Sequence, residues 1–272
     1  MRRLLPFDPW HLVLAPVALL MVTPLAWMVV TSIETVPETR RFPPVIVPSG
    51  VHWQNYHTVL ADAPFAHWFV NTTLVTLTCV LGNLVFCSLA GYGFARLRFA
   101  GSGIAFFLLL ATLMVPFQVV MIPTLLIVKA LGLVDTIPAL ILPNLVTAFG
   151  IYLLRQFFVS LPAELEEAAI VDGASRFKIL TRIMLPLMGP PLSTLAILTF
   201  LEVWNDFLWP LVVTSSPEVM TVQLGLATFQ SAHFTNWPEL MAGTLMSQLP
   251  VLLLFLLGQR FFVRSIATTG IK

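Results

Sequence analysis

Charged side chains are scarce: Asp, Glu, Lys and Arg make up 10% of the 272 residues, against 58% hydrophobic residues. An ordinary soluble domain carries about 25% charged residues. Too few polar side chains exist here to coat a water-soluble globule, so lipid is the expected solvent for most of the chain. An excess of one sign is also missing. Fourteen Lys plus Arg stand against 13 Asp plus Glu, a net charge of +1, which gives no global basic field of the kind nucleic-acid binding needs. The two cysteines, Cys79 and Cys87, lie in one apolar run. As helix they would sit ~12 Å apart, too far for an intrachain disulfide, and they read as small apolar packing residues.

Other absences exclude chemistries. No Gly-Lys pair occurs anywhere, so no P-loop for ATP is present. The histidines His11, His52, His57, His67 and His233 form no His-Glu-x-x-His pair, and no base–nucleophile constellation supports a hydrolase. No internal repeat, low-complexity tract or heptad series stands out.

What is present is long uncharged stretches. Six strongly apolar gaps between charges run from Pro9 to Ile33, Ala63 to Ala95, Phe99 to Val128, Thr136 to Leu154, Ile183 to Leu201 and Leu240 to Gln259. Each can supply the ~20 apolar residues that a spanning helix needs. Two further gaps, Phe42 to Ala61 and Val219 to Pro238, are interrupted by prolines or amides and read as loops outside the lipid. The expectation is an all-α integral membrane protein forming one domain over residues 1–272. Its first span covers about 11–33 and its core spans about 67–95, 103–128, 136–155, 186–212 and 240–262.

Six spans place both termini on one side. The cytoplasmic assignment gathers Arg2, Arg3, Arg96, Arg98, Arg155, Arg176, Lys178, Arg182, Arg260, Arg264 and Lys272 on the inner face, and leaves Arg40, Arg41 and Lys129 outside. Arg2 and Arg3 before an apolar run also suit a signal peptide, but that run is longer than an h-region and no small-x-small site closes it. It reads as an uncleaved first span in the cell membrane.

The most polar cytoplasmic stretch lies between the fourth and fifth spans, about 159–185. Pro162 suits a first helical turn, Glu164, Glu166 and Glu167 complement a helix N-terminus, Gly173 supplies a break, and Ser175 can cap a second helix. Ala168 and Ala169 beside Glu167 leave little side-chain bulk, which suits docking better than catalysis. From physics alone, a solvated amphipathic connector is the competing reading.

The spacing adds more. Glu167-Ala168-Ala169, three residues, Gly173, nine residues, then Ile183-x-Leu185-Pro186 resembles the EAA loop of permease subunits of ATP-binding-cassette importers. Asp172-Gly173-Ala174, Phe177 and Leu187 look like the sugar-importing branch. Trp53-Gln-Asn-Tyr56, Asn71-Thr72, Trp204-Asn-Asp-Phe207 and Pro250 extend the resemblance over nearly the whole chain. The final Thr269-Gly270-Ile271-Lys272 departs from the Gly-Ala-Val-Lys-Gly-like tail of many relatives, which weakens the case for a tail contact with the ATPase.

The resemblance implies the type I importer permease (MetI-like) fold and a sugar or sugar-like cargo, with glycerol-phosphate compounds the nearest alternative. It implies a related permease, two ATP-binding subunits that hold ATP and Mg, and an extracytoplasmic solute-binding protein, with no cofactor in this chain. Glu164, Glu167, Ala168, Ala169, Asp172, Gly173, Ile183, Leu185 and Pro186 are then the ATPase-coupling residues. A secondary transporter or channel is the rival reading; it would leave the EAA pattern unexplained.

Inside the spans, polar residues are candidates by default because burying them is costly. Glu202 and Asp206, at i and i+4 with Asn205 between, are expected to share a helix face, with Trp204 and Trp209 adding aromatic surface for a hydroxyl-rich ligand. The competing reading is a structural network with the paired permease. Asn71, Gln118, Asn144, Thr244 and Gln248 are further path candidates, or interhelical hydrogen-bonding groups. Gly91, Gly93, Pro116 and Pro123 are expected to allow close packing or bends. The outer loop from Thr214 to Glu239 carries Gln223, Phe229, Gln230, Asn236 and Trp237 and no cation. By resemblance Gln230, Asn236 and Trp237 meet the binding protein; a passive loop is the alternative.

Overall fold

The computed structural model describes residues 10–230 and 234–269, with side chains described as far as residue 256. Of the cations assigned to the inner face, Arg2, Arg3 and Lys272 fall outside the described residues, as does the end of the tail. The side chains of Arg260 and Arg264 do too. His233 lies in the undescribed stretch of the outer loop.

Among the described residues the structure is helical, with one isolated bridge between Gln230 and Thr235 and no strand. In chain order the helices are α1 (His11–Ser32), α2 (Val36–Thr39), α3 (Gln54–Ala61), α4 (Phe65–Arg96), α5 (Ser102–Thr112), α6 (Phe117–Ala130), α7 (Ile137–Ile141), α8 (Ala148–Ser160), α9 (Glu164–Val171) and α10 (Arg176–Ile179). They continue as α11 (Leu185–Leu187), α12 (Gly189–Trp204), α13 (Leu208–Val213), α14 (Val222–Ala227) and α15 (Trp237–Thr269). A 3-10 turn links α7 to α8, and one π turn, Leu180–Met184, joins α10 to α11.

Four stretches are long and apolar enough to cross a membrane by themselves: His11–Ser32, Phe65–Arg96, Ile137–Ser160 and Trp237–Leu256. The third expected span is a bent pair, and the fifth, expected over about 186–212, is met at an angle by the cytoplasmic stretch before it and is interrupted after Trp204. α5 and α6 meet at 105°, and Arg176–Leu187 meets α12 at 82°. The break before α6 falls at Pro116, whose extended conformation stops the preceding helix. Pro123, also expected to interrupt this span, sits inside α6 without ending it. The second break is where α12 restarts at Gly189 with proline in its first turn.

The chain forms two compact units, Met1–Ala66 with Gly225–Leu249, and His67–Leu224 with Pro250–Lys272. In the first, α1 buries almost none of its apolar surface in its own chain, and its end is stapled by α3. Asn55 Nδ2 donates to the carbonyls of Ser32 and Glu34, both at 2.9 Å, and the Tyr56 hydroxyl lies 2.7 Å from Ser32 Oγ. The Trp53-Gln-Asn-Tyr56 run thus closes the first span. In the second unit, α4 packs closely on α8: a Cβ added at Gly91 would lie 3.1 Å from the Arg155 nitrogen. Cys79 and Cys87 are free and buried.

Candidate functional site

The segment from α9 to α12 stands on a core made of Cys87, Tyr92, Ile151, Leu154, Phe158, Ala169, Ile179, Leu180, Met184, Met188 and Leu195. α9 begins with Glu164, Glu166 and Glu167 in its first turn, where carboxylates complement the helix dipole. It ends at Gly173, whose φ of +76° lies in the left-handed region that glycine reaches at low cost. The next helix starts at Ser175, whose hydroxyl accepts from the Lys178 amide at 3.4 Å. Both local expectations, the glycine break and the serine cap, are met.

Glu166 anchors the segment from beneath. Its carboxylate is buried, accepts from the Tyr92 hydroxyl at 3.0 Å, is ion-paired to Arg176, and lies 3.9 Å from Arg96 Nε. Arg96 in turn donates through Nη2 to the carbonyls of Phe158 at 2.6 Å and Leu161 at 2.5 Å, where α8 ends. One carboxylate therefore ties α9 to the end of α4 and to α10. Glu166 was read from sequence only as one of three acids at a helix N-terminus, because nothing along the chain marks it as the one that turns inward.

The other carboxylates point elsewhere. Glu164, Glu167 and Asp172 are exposed, as is Ala168. Ala169, expected to offer a bare surface beside Ala168, is 7% exposed and packs into the core beneath. The reason is helical geometry: Glu166 and Ala169 are three residues apart and share the inward face. Val171 and Phe177, by contrast, are 87% and 68% exposed, so the turn carries apolar surface between its acids. Ile183 and Leu185 are half-buried and Pro186 is exposed at the foot of the fifth span.

Within the spans the arrangement differs from the expected lining. α12 ends at Trp204, so Glu202 and Asp206 do not share one continuous helix. Asn205 folds its amide back to the Leu201 carbonyl at 2.8 Å, and Asp206 Oδ1 accepts from the Trp209 amide at 3.3 Å, opening α13. Trp204 and Trp209 present no ligand surface: each is 1% exposed, Trp204 stacked on Phe200 and Trp209 donating to the Ala139 carbonyl at 3.0 Å. Gln118 is exposed on α6. Asn144 donates to the Leu140 carbonyl at 3.3 Å. Gln248 belongs to the other unit, half-buried on α15.

Asn71 straps the outer loop. Its amide donates to the carbonyls of Glu218 at 2.7 Å and Met220 at 3.0 Å, Trp68 Nε1 to that of Pro217 at 2.8 Å, and Thr72 Oγ1 accepts from the Val222 amide at 2.8 Å. Asp135 completes the strap by accepting from the amides of Ser215 and Ser216, at 2.8 and 2.9 Å, and from the Ser216 hydroxyl. These donors hold the Asp135 carboxyl below its ordinary value. In the other unit, Gln230 and Trp237 are exposed, Gln230 pairs with Thr235, and the Asn236 amide donates to the Phe229 carbonyl at 3.3 Å.

A second polar residue escaped the sequence reading. Asn83 is fully buried on α4, donates to the carbonyls of Cys79 at 3.0 Å and Asn144 at 2.7 Å, and accepts from Thr147 Oγ1 at 2.8 Å. Its amide is satisfied by α4 itself and by the 3-10 turn, a structural role. A lone Asn in an apolar run carries no spacing signal that would have revealed this.

Residues 84–267 match the family described as binding-protein-dependent transport system inner membrane component. An arabinooligosaccharides transport system permease protein of Halalkalibacterium halodurans is 36% identical over 100% of this chain and 99% of its own length. An sn-glycerol-3-phosphate transport system permease protein of Yersinia enterocolitica is 31% identical, covering 94% of each. A crystal structure of a bacterial ABC transporter involved in the import of the acidic polysaccharide alginate contains a chain that superposes with a TM-score of 0.83 at 25% identity, over 94% of this chain and 99% of that one. A multi-pass helical chain with an EAA-type loop carried on an anchored helix–turn–helix, matched over its length by such relatives, belongs to the inner membrane components of binding-protein-dependent transport systems and is a permease subunit of an ABC importer.

Proposed function

We propose that the whole chain works as one permease domain that imports a sugar or sugar-like solute, paired with a related permease and driven by two separate ATP-binding subunits. The observation that carries the coupling role is the α9 turn: exposed Val171 and Phe177 among exposed Glu164, Glu167 and Asp172, held from below by Glu166. Such a surface offers an ATPase groove both apolar contact and acceptors. ATP and Mg belong to those partners, and this chain does no hydrolysis. An extracytoplasmic solute-binding protein delivers the cargo to the outer loop, where Gln230, Asn236 and Trp237 are the contact residues. Both termini face the cytoplasm, in line with the placement of cations.

The sugar assignment rests on the arabinooligosaccharide relative, and glycerol-phosphate compounds are the second cargo because a relative named for sn-glycerol-3-phosphate also covers 94% of the chain. Uptake of labelled sugar and labelled glycerol phosphate in a strain carrying the complete system separates them. In the same assay Glu167→Lys and Gly173→Asp should abolish uptake while membrane insertion stays intact. Undiminished transport would overturn the coupling role. Transport by this chain alone, driven by an ion gradient, would favour a secondary transporter instead.

A further inference from the structure

The first unit holds a cavity of about 300 Å³ lined by Trp27, Thr31, Glu34, Thr39, Trp237 and Met241. Trp27 and Thr31 are four residues apart on α1, and Trp237 and Met241 four apart on α15, so each pair shares a face. Glu34 follows the end of α1, and Thr39 is the last residue of α2.

Glu34 is 2% exposed. Among the described residues its hydrogen bonds involve the backbone alone: its carbonyl accepts from Asn55 Nδ2, and its amide donates to the Thr31 carbonyl. No described cation pairs with its carboxylate. Thr31 Oγ1 is also buried without a hydrogen-bond partner. The neighbours are committed elsewhere. Thr39 donates to the Val36 carbonyl, and Glu38 already accepts from Thr35 and from the Ser49 amide. Arg40 lies over the Phe234 ring, 4.8 Å from its centroid. Burial first, and the Glu38 charge second, push the Glu34 carboxyl up, as expected of an acid that faces no compensating charge.

A buried carboxylate and a bare hydroxyl oxygen between two tryptophans specify a ligand by elimination. Isolated buried charge is costly, and a cationic ligand compensates it; among aromatic rings tryptophan attracts cations best. Both polar groups lack donors, so the ligand must also carry N–H groups. A quaternary ammonium has the charge without the N–H groups. A polyol donates hydrogen bonds but leaves the charge uncompensated. We propose that this cavity is a primary-ammonium site in which Glu34 pairs with the ligand's NH3+, Thr31 Oγ1 accepts a second N–H, and Trp27 and Trp237 supply aromatic walls.

Two sources offer that group: the ethanolamine headgroup of a phospholipid, within reach because the cavity lies at the end of a membrane-spanning helix, and a free amine. The full chain, purified with its accompanying subunits in nanodiscs of equal phosphatidylethanolamine and phosphatidylcholine, distinguishes them. Native mass spectrometry should find phosphatidylethanolamine retained about tenfold over phosphatidylcholine, and Glu34→Gln should remove the preference. Trp237→Leu, on the opposite wall, is the second variant, with melting curves to confirm folding. Calorimetric titration of ethanolamine into phosphatidylcholine nanodiscs tests the free amine. Binding there that Glu34→Gln abolishes, without lipid preference, assigns the site to a soluble amine. Equal retention of both lipids by the wild-type protein together with no ethanolamine binding overturns the proposal.

Discussion

At Glu166 a carboxylate with the same sequence surroundings as Glu164 and Glu167 becomes the one that turns inward, meeting Tyr92, Arg96 and Arg176. Removing its charge leaves two guanidinium groups without their partner. The Arg176 side chain is 54% exposed, so the loss falls below the ~3–5 kcal/mol of a fully buried pair. We expect Glu166→Gln to cost about 1–3 kcal/mol, read as a lower melting midpoint of the purified transporter. Arg176→Gln should cost less because water already reaches that partner. Asn71 offers a second test at this scale. If it straps the outer loop, Asn71→Ala should speed amide exchange around Met220 and Val222 and leave the KM for cargo unchanged; a path-lining residue would raise KM. The Glu166 role was not legible in sequence because in an eight-residue helix with exposed Leu165 and Ile170 the apolar residues do not mark the inner face, and that of Asn71 was not because its partners lie 147 and 149 positions away.

The α9 turn and the outer strap are decisions made by short elements. Gly173 adopts φ +76° with no atom within 4 Å of where a Cβ would sit, so substitution meets backbone strain rather than a clash. An L-residue there costs roughly 1–2 kcal/mol. Gly173→Val should therefore lower uptake more than Gly173→Asn, which tolerates the left-handed region; equal activity of the two would mean that the turn opens readily. The strap has a pH dependence. The Asp135 carboxyl is lowered by the amides of Ser215 and Ser216 and the Ser216 hydroxyl. Its contribution is complete above the ordinary carboxylate value and disappears as pH falls through the lowered one. Exchange of the Ser215 and Ser216 amides, corrected for intrinsic rates, should lose protection on acidification, and Asp135→Ala should lose it at neutral pH. The glycine break was legible because only glycine enters that region cheaply. The strap was not, since Asp135 and Ser215 are eighty positions apart in the chain.

For the whole molecule, the scarcity of charge determined that the chain is a membrane protein, because the cost of burying ions leaves few places where they can stand. Gap lengths then indicated the spans, and the Glu167 to Pro186 spacing indicated the family and singled out the polar segment before the fifth span. What only the tertiary structure decided was the direction of each group. Pro116 was expected to permit a bend, but its size, 105°, and the 82° angle at which the cytoplasmic stretch Arg176–Leu187 meets α12 come from the fold, because hydropathy carries no information on direction. Glu202 and Asp206 lost their common face when α12 ended between them, and Trp204 and Trp209 proved to be core. Charge count and spacing act along the chain and are readable there. Which side chain finds a partner depends on helices that meet across the fold, where packing and hydrogen-bond satisfaction, rather than local order, choose the winner.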